Sequence, residues 1–429
     1  MANKNFNPGL NYAKELDQKD PLRAFRERFY QLEGGKIYMD GNSLGLASKD
    51  AEKALLDMIE VWKTEGILLW NVKDGYYFQY ARELGNRLAK LIKADENEVI
   101  VTGNTTINVH QMIGTFWRPT KDRYKILVDD LNFPTDRYAI DSQVELKGMK
   151  VEDVVKVVKS RDGIFIYEDD IIEAMTDDVA VILLPSVLYR SSQLVDMERV
   201  TKEAHKRGIY IGWDLCHSIG CVEHDFKKID PDFAIWCNYK YLSAGPGASA
   251  GLFVNKKHFG KSVGLAGWFG NKDETQFQLR HKFEQAPDAI AWQTGTPSHF
   301  SMAPLEGVLN IYDEAGLHNI REKSLNLTAY LMYLIDTTLT QYGYSYNNPT
   351  DDAKRGGHVS LVHDEAYRIC LALKDHDVVP DYREPNVIRL APIALYNSYE
   401  DAFKLVEALR VIGENKEWEK YSAERAMVM

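Results

Sequence analysis

Between residues 75 and 255 the chain alternates two patterns: stretches with apolar residues every three or four positions, and short runs that are apolar throughout. "GYYFQYARELGNRLAKLIKA" (75–94) places Tyr80, Leu84, Leu88 and Leu91 on one face of a helix. "EVIVTG" (98–103) reads as a short strand, "TTINVHQMIGTFW" (105–117) as a helix and "YKILVDD" (124–130) as the next strand. "DVAVILLP" (178–185) is predicted as a strand and "DMERVTKEAHKRG" (196–208) as a helix closed by Gly208. "IYIGWD" (209–214) and "DFAIWCNYKY" (232–241) read as further strands. Apolar strands that do not alternate, separated by helices, predict an α/β fold with a mainly parallel sheet covered on both faces. Ligands of such sheets bind beyond the carboxyl ends of the strands. The residues just after each strand are therefore the ones to examine.

After about residue 310 the pattern changes. "SLNLTAYLMYLIDTTLTQYG" (324–343) is a long amphipathic helix, and "HVSLVH", "EAYRICLALKDHDVV" and "VIRLAPI" suggest a small α/β unit closed by the helix "SYEDAFKLVEALRVIGE". Two domains are expected: a large one over 35–310 and a small one over 311–429, with residues 1–34 packing beside the second.

Composition narrows the partners. A net charge of -11 over 429 residues argues against nucleic acid or an anionic membrane surface. No apolar run approaches the ~18 residues of a membrane span. "MANKNFNPGLNYAKELDQKD" has no apolar core or cleavage pattern, so no secretory signal is expected. Cys216, Cys221, Cys237 and Cys370 form no CxxC pair, which predicts free buried thiols in a reducing compartment, the cytoplasm. No metal is expected.

The strand ends hold a chemically varied set. Asn104, Thr105 and Thr106 open a helix, whose free N–H groups and added hydroxyls suit a phosphate; a plain helix cap explains them as well. "NFPTD" (132–136) places Phe133 and Pro134 where a flat ring can face a cleft, or simply fill a loop. Asp214 ends one apolar strand, followed by His217, and Lys240 ends the next. An acid there needs a cation or strong donors. An Asp214–Lys240 ion pair would suffice, but it leaves the hydroxyls and the aromatic neighbours unexplained. Pyridoxal 5'-phosphate accounts for the whole set. Its aldehyde takes a lysine of depressed pKa, its ring nitrogen a carboxylate, its phosphate the helix start and its ring an aromatic face.

The wording of these segments points further. "YMDGNSLGL" (38–46), "NFPTDRYAIDSQ" (132–143), "GWDLCHSIG" (212–220), "DFAIWCNYKYLSAGPG" (232–247), "GWFG" (267–270) and "NVIRLAPIALYNS" (386–398) resemble the kynureninase family, in order, over nearly the whole chain. That family has the fold-type I architecture of pyridoxal-phosphate enzymes. The resemblance implies hydrolysis of L-kynurenine or 3-hydroxy-L-kynurenine to L-alanine and anthranilate or 3-hydroxyanthranilate. It implies Lys240 as the Schiff-base lysine, Asp214 as partner of the ring nitrogen, and Thr105 and Thr106 under the phosphate. Tyr239 would reach the phosphate and share proton transfers. Phe133 would stack on the ring, within the segment Phe133, Pro134, Thr135 and Asp136, and Asp136 and His217 would be neighbouring contacts. Arg389 would hold the substrate α-carboxylate, a task suited to a bidentate fork. Trp70 and Ser43 would serve the aromatic end of the substrate pocket. Trp268 and Thr296 match positions that reach the phosphate from a neighbouring subunit, which implies a homodimer with shared sites. Three positions depart from the usual family wording: Pro185 for a serine, Asn271 for a histidine and Gln276 for an arginine. A cysteine desulfurase or an aminotransferase is the alternative within the same fold; the former needs a mobile cysteine. A nicotinamide enzyme is disfavoured, since no GxGxxG follows an early strand.

Overall fold

The computed structural model describes residues 6–424. Seven strands form the main sheet, in the order Val99–Val101, Gly251–Val254, Phe233–Trp236, Tyr210–Asp214, Val179–Pro185, Lys125–Asp129 and Val155–Val158. Gly251–Val254 runs against both neighbours and the remaining strands are parallel to one another. Every residue of Val179–Pro185 is buried, which is why that run is apolar without alternation. Helix Tyr80–Leu91 packs tightly on strand Val99–Val101. The contact depends on Gly85, where a Cβ would fall 2.0 Å from the Val99 carbonyl oxygen. The expected α/β class is observed.

The predicted strand at 232–241 ends early, at Trp236. Beyond it the Cys237 N–H donates to Cys216 Sγ at 3.3 Å, and the Asn238 side chain donates to the Ser249 carbonyl at 2.6 Å. The Ser243 N–H then donates to the Lys240 carbonyl at 2.8 Å, which closes a turn. Lys240 therefore stands in a turn above the sheet and not on the strand. Two strands of this sheet escaped the pattern reading: Val155–Val158, a half-exposed edge, and the antiparallel Gly251–Val254.

A four-stranded antiparallel sheet, ordered Asp381–Arg383, Val387–Leu390, Val359–Val362 and Ser345–Tyr346, carries a second hydrophobic core. Helices Leu317–Thr338 and Tyr399–Asn415 cover it. The second helix starts on a reciprocal cap between Ser398 and Asp401. Helix Leu10–Lys19 packs on Tyr399–Asn415 and contributes Ala13 to this core. The Asp17 carboxylate accepts the Tyr399 and Glu400 N–H groups at 2.7 and 3.0 Å. Within helix Leu317–Thr338, Ile320 belongs to the first core and Leu327 to the second. Ile37–Tyr38 pairs with Val378–Val379, and Asp40 bridges Ala391. This pairing lays the 38–46 loop between the two sheets. Among the described residues no helix is long and apolar enough to cross a membrane.

Candidate active site

Strands Val99–Val101, Lys125–Asp129, Val179–Pro185, Tyr210–Asp214 and Phe233–Trp236 point the same way, so the turns that follow them converge. Together with the 38–46 loop, Arg383 and Arg389 they line a cavity of about 550 Å³. Thr105, Thr106, Phe133, Thr135, Asp214, His217, Tyr239, Lys240, Ser43 and Arg389 all border it.

At the sheet end, Asp214 is 6% exposed and accepts the Cys216 N–H at 2.7 Å. Burial pushes its pKa up, opposed by hydrogen bonds from Cys216 and by the charge of Lys240. The Lys240 ammonium lies 3.1 Å from His217 Nε2 and 6.0 Å from the centre of the Phe133 ring. Burial drives the His217 pKa well down, and Lys240 lowers it further. His217 is thus neutral and accepts from Lys240 through Nε2, which leaves the proton on Nδ1, a buried atom without a partner.

The sequence leads one to expect a depressed Lys240 pKa; the structure gives the opposite. Burial lowers it, but the negative charge available at Cys237, Cys216 and Asp214 outweighs burial. The Tyr239 phenol is likewise a weaker acid than free tyrosine, through burial and then through the neighbouring thiols. It is therefore a neutral proton donor here.

Along one wall, Asn104 caps helix Thr105–Phe116 by accepting the Ile107 N–H at 3.0 Å. The Thr106 and Thr135 hydroxyls meet at 2.7 Å. Pro134 is the first residue of helix Pro134–Leu146 and does not border the cavity. Asp136 lies buried beneath the wall. Asn132 donates to its Oδ2 at 2.7 Å, and its Oδ1 has no partner. Burial and the charge of Asp214 raise its pKa well above the usual carboxylate range. Phe133 is 43% exposed toward the cavity and meets Tyr189 edge-on at 5.6 Å.

The far end of the cavity is built on the small sheet. Arg389 is 1% exposed and forms an ion pair with Asp381, the residue opposite it in the antiparallel pairing. Arg389 also donates to Ser43 Oγ at 2.9 Å and to the Tyr189 carbonyl at 3.3 Å. Arg383 reaches the same Ser43 oxygen at 3.4 Å. Asp381, Arg383, Tyr189, Asn42 and Asp40 were not singled out in the sequence. For Asp381 a signal existed: "DYREPNVIRL" is a hairpin that sets an acid across from Arg389.

Three expected residues lie elsewhere in the chain. Trp70 packs against Trp268, Phe78, Phe269 and Phe277, with ring centres 5.4–6.5 Å apart, and neither Trp70 nor Trp268 borders the cavity. Thr296 is exposed and also outside the lining. Of the three departures, Pro185 faces the cavity. Ser186 turns inward and donates to the Asp214 carbonyl at 2.9 Å. Asn271 closes a loop by accepting the Glu284 N–H at 2.7 Å, and Gln276 is buried.

The family model described as "Kynureninase C-terminal domain" matches residues 320–409. The chain is 52% identical to the kynureninase of Geobacillus thermodenitrificans, covering 98% of both chains. It is also 52% identical to the kynureninase of Bacillus cereus strain ZK / E33L, over the full length of both. Among solved structures it is similar to the cysteine desulfurase of Thermococcus onnurineus, with a TM-score of 0.76 and 16% identity over 94% of this chain and 98% of that one. It is also similar to the cystine C-S lyase C-DES, with a TM-score of 0.74 and 15% identity over 88% of this chain and 98% of that one. These two likenesses establish the fold, the fold-type I architecture that the family resemblance implies. On full-length identity above one half to both relatives, the chain belongs to the kynureninase family.

Proposed function

We propose that this protein binds pyridoxal 5'-phosphate and hydrolyses L-kynurenine, 3-hydroxy-L-kynurenine or both, releasing L-alanine and anthranilate or 3-hydroxyanthranilate. The observation that carries the reading is the layout of one cavity: an amine and a carboxylate, Lys240 and Asp214, at the sheet end, and a buried guanidinium, Arg389, at the other.

The residues present suit the cofactor. Asn104, Thr105 and Thr106 open a 12-residue helix at the cavity wall, and its first N–H groups, with the Thr106 and Thr135 hydroxyls that meet there, suit a phosphate. Two buried polar atoms at this end, His217 Nδ1 and Asp136 Oδ1, lack any protein partner. When bound, the cofactor supplies an aldehyde for covalent attachment and a protonated ring that withdraws electrons from the bond being broken.

The chain's own groups do the rest. Asp214 would hold the proton on the ring nitrogen. Lys240 would be the point of attachment and, as a free amine, would move the proton at the substrate α-carbon. Tyr239 would donate as a neutral phenol, and Phe133 would face the ring. Arg389, with Ser43, fixes the α-carboxylate. Arg389→Lys removes the fork and leaves the cofactor end untouched. Its kcat/KM for kynurenine is expected to fall about 100-fold while cofactor absorbance stays unchanged. Equal losses of substrate and cofactor binding would count against this role.

The shared-site homodimer is part of the same reading. It is supported by the cluster around Trp70 and Trp268 lying outside its own cavity, beside exposed Phe277 and Leu279. Because Trp70 and Trp268 touch, both would be delivered to the partner's site together. The four free, buried cysteines support a reducing compartment, the cytoplasm, and leave no exposed thiol for desulfurase chemistry.

The direct experiment is to load the purified protein with pyridoxal phosphate, supply kynurenine or its 3-hydroxy form, and follow anthranilate fluorescence and alanine. Turnover is expected with at least one of them. Silence with both, and sulfide released from cysteine instead, would overturn the reading in favour of a desulfurase.

A further inference from the structure

Behind the Ser43 and Arg389 end of the cavity stands a second acid that the proposed chemistry does not use. Asp40 lies in the loop after Ile37–Tyr38 and bridges Ala391, two positions past Arg389. Its Oδ1 is buried with no partner, and the Ser43 hydroxyl serves the rest of the carboxyl group. The charged groups facing it are Asp381, Arg383 and Arg389. Tyr38, Tyr396 and Cys370 also feel its charge, and each is a weaker acid than when free, so each stays neutral near pH 7.

A charge count follows from these contacts. Two guanidiniums and the Asp381 carboxylate leave one positive charge, and an ionised Asp40 cancels it. A substrate carboxylate entering that neutral cluster would leave a buried surplus negative charge, which is costly. If Asp40 is protonated first, the occupied cluster is neutral.

We propose that Asp40 is the proton-linked counter-charge of this subsite: the substrate α-carboxylate enters together with one proton, which Asp40 takes up. The inference rests on Arg389 being the carboxylate seat. Asp40 is a positioning residue, since it acts through Ser43 and the two arginines. Burial and the charge of Asp381 raise its pKa to about 6, so in the free site near neutral pH it is largely ionised and able to accept that proton.

The sign is fixed by linkage. The protonated form binds the anion better, so affinity is highest below about pH 6 and falls by up to about tenfold per pH unit above it, until the raised pKa of the occupied site is reached. The test uses the holoenzyme and two probes that do not bear the reacting amine. One is desamino-kynurenine; the other is ortho-aminophenyl propyl ketone, the same skeleton with methyl in place of the carboxylate. Between about pH 6 and pH 8 the affinity of the acid relative to the ketone is expected to fall at least about tenfold. Calorimetry of the acid near pH 7, in buffers of different ionisation heat, should show uptake close to one proton. Asp40→Asn should hold that relative affinity flat at the low-pH level.

A pH-independent ratio with no proton uptake in the unaltered protein overturns the proposal, and so does an Asp40→Asn protein that keeps the original slope. The calorimetric arm needs no variant, so a poorly folding substitution does not shield the idea. If the acid fails to displace kynurenine at every pH, Arg389 is not the carboxylate seat, and both readings fall together.

Discussion

Lys240→Ala will lower kynurenine turnover by at least about 10,000-fold and abolish the near-visible absorbance of the lysine-bound cofactor, while the far-ultraviolet dichroism of the folded chain stays the same. The size follows from what remains in the cavity. The other cations that border it are Arg383 and Arg389, and a guanidinium is too weak a nucleophile to take over the attachment. His217 sits 3.1 Å from the lost amine, but it is held neutral and has no means of covalent capture at that position. The fold should tolerate the change. Lys240 stands in a turn above the sheet, half-buried, and its removal leaves one imidazole nitrogen without its donor. Absorbance titration with pyridoxal phosphate and an anthranilate assay check both halves. A variant that keeps the absorbance band or the turnover would show that another group carries the cofactor.

The sheet was readable in the sequence where strands are buried on both faces, as in Val179–Pro185, because nothing but apolar residues fits there. It was unreadable at its margins. Val155–Val158 is a half-exposed edge, and Gly251–Val254 follows a glycine-rich turn that masks where pairing resumes. The strand-end rule picked out Thr105, Phe133, Asp214 and Lys240, which border one cavity because each stands at or just beyond the end of a strand of one sheet. The rule also overextended the last strand, since a run of apolar residues persists through "WCNYKYL" after ladder pairing has stopped at Trp236.

The half around Arg389 was nearly invisible apart from Arg389 itself; Ser43, expected at the aromatic end of the pocket, stands instead beside Arg389, which donates to it at 2.9 Å. Asp40 and Asn42 reach the cavity region from a loop held by the pairing of Asp40 with Ala391, and Tyr189 from a loop whose carbonyl meets Arg389 across 200 residues, and no local periodicity encodes either. The pKa directions of Lys240 and Tyr239 were equally out of reach. They depend on how close the Cys216 and Cys237 thiols and Asp214 lie in space, and the sequence separates these by a helix and a strand.

Asp214→Asn should keep the protein folded and able to bind cofactor, yet lower kcat about 1,000-fold. The side chain keeps its shape, and its amide oxygen can still accept the Cys216 N–H that the carboxylate accepts at 2.7 Å. The backbone carbonyl that receives the Ser186 N–H at 2.8 Å is unaffected. Only the charge disappears. Removing one preorganised electrostatic group from an active site costs about 4 kcal/mol of barrier, and each 1.36 kcal/mol is about tenfold in rate, which brings the loss to about 1,000-fold. The ring nitrogen then has no anion to keep its proton, and the electron withdrawal that the proton provides is lost. A second effect separates this cause from general damage. Asp214 is one of three groups whose charge holds the pKa of the free Lys240 amine up against burial, so in the cofactor-free variant that pKa must fall. Attachment of the cofactor to the cofactor-free protein needs the unprotonated amine, so its pH dependence should move to lower pH in Asp214→Asn. A kcat within tenfold of the original, or a pH dependence of attachment that does not move, would mean that the charge of this carboxylate supports neither the ring nor the lysine, and the pairing of Lys240 with Asp214 around one cofactor would have to be abandoned.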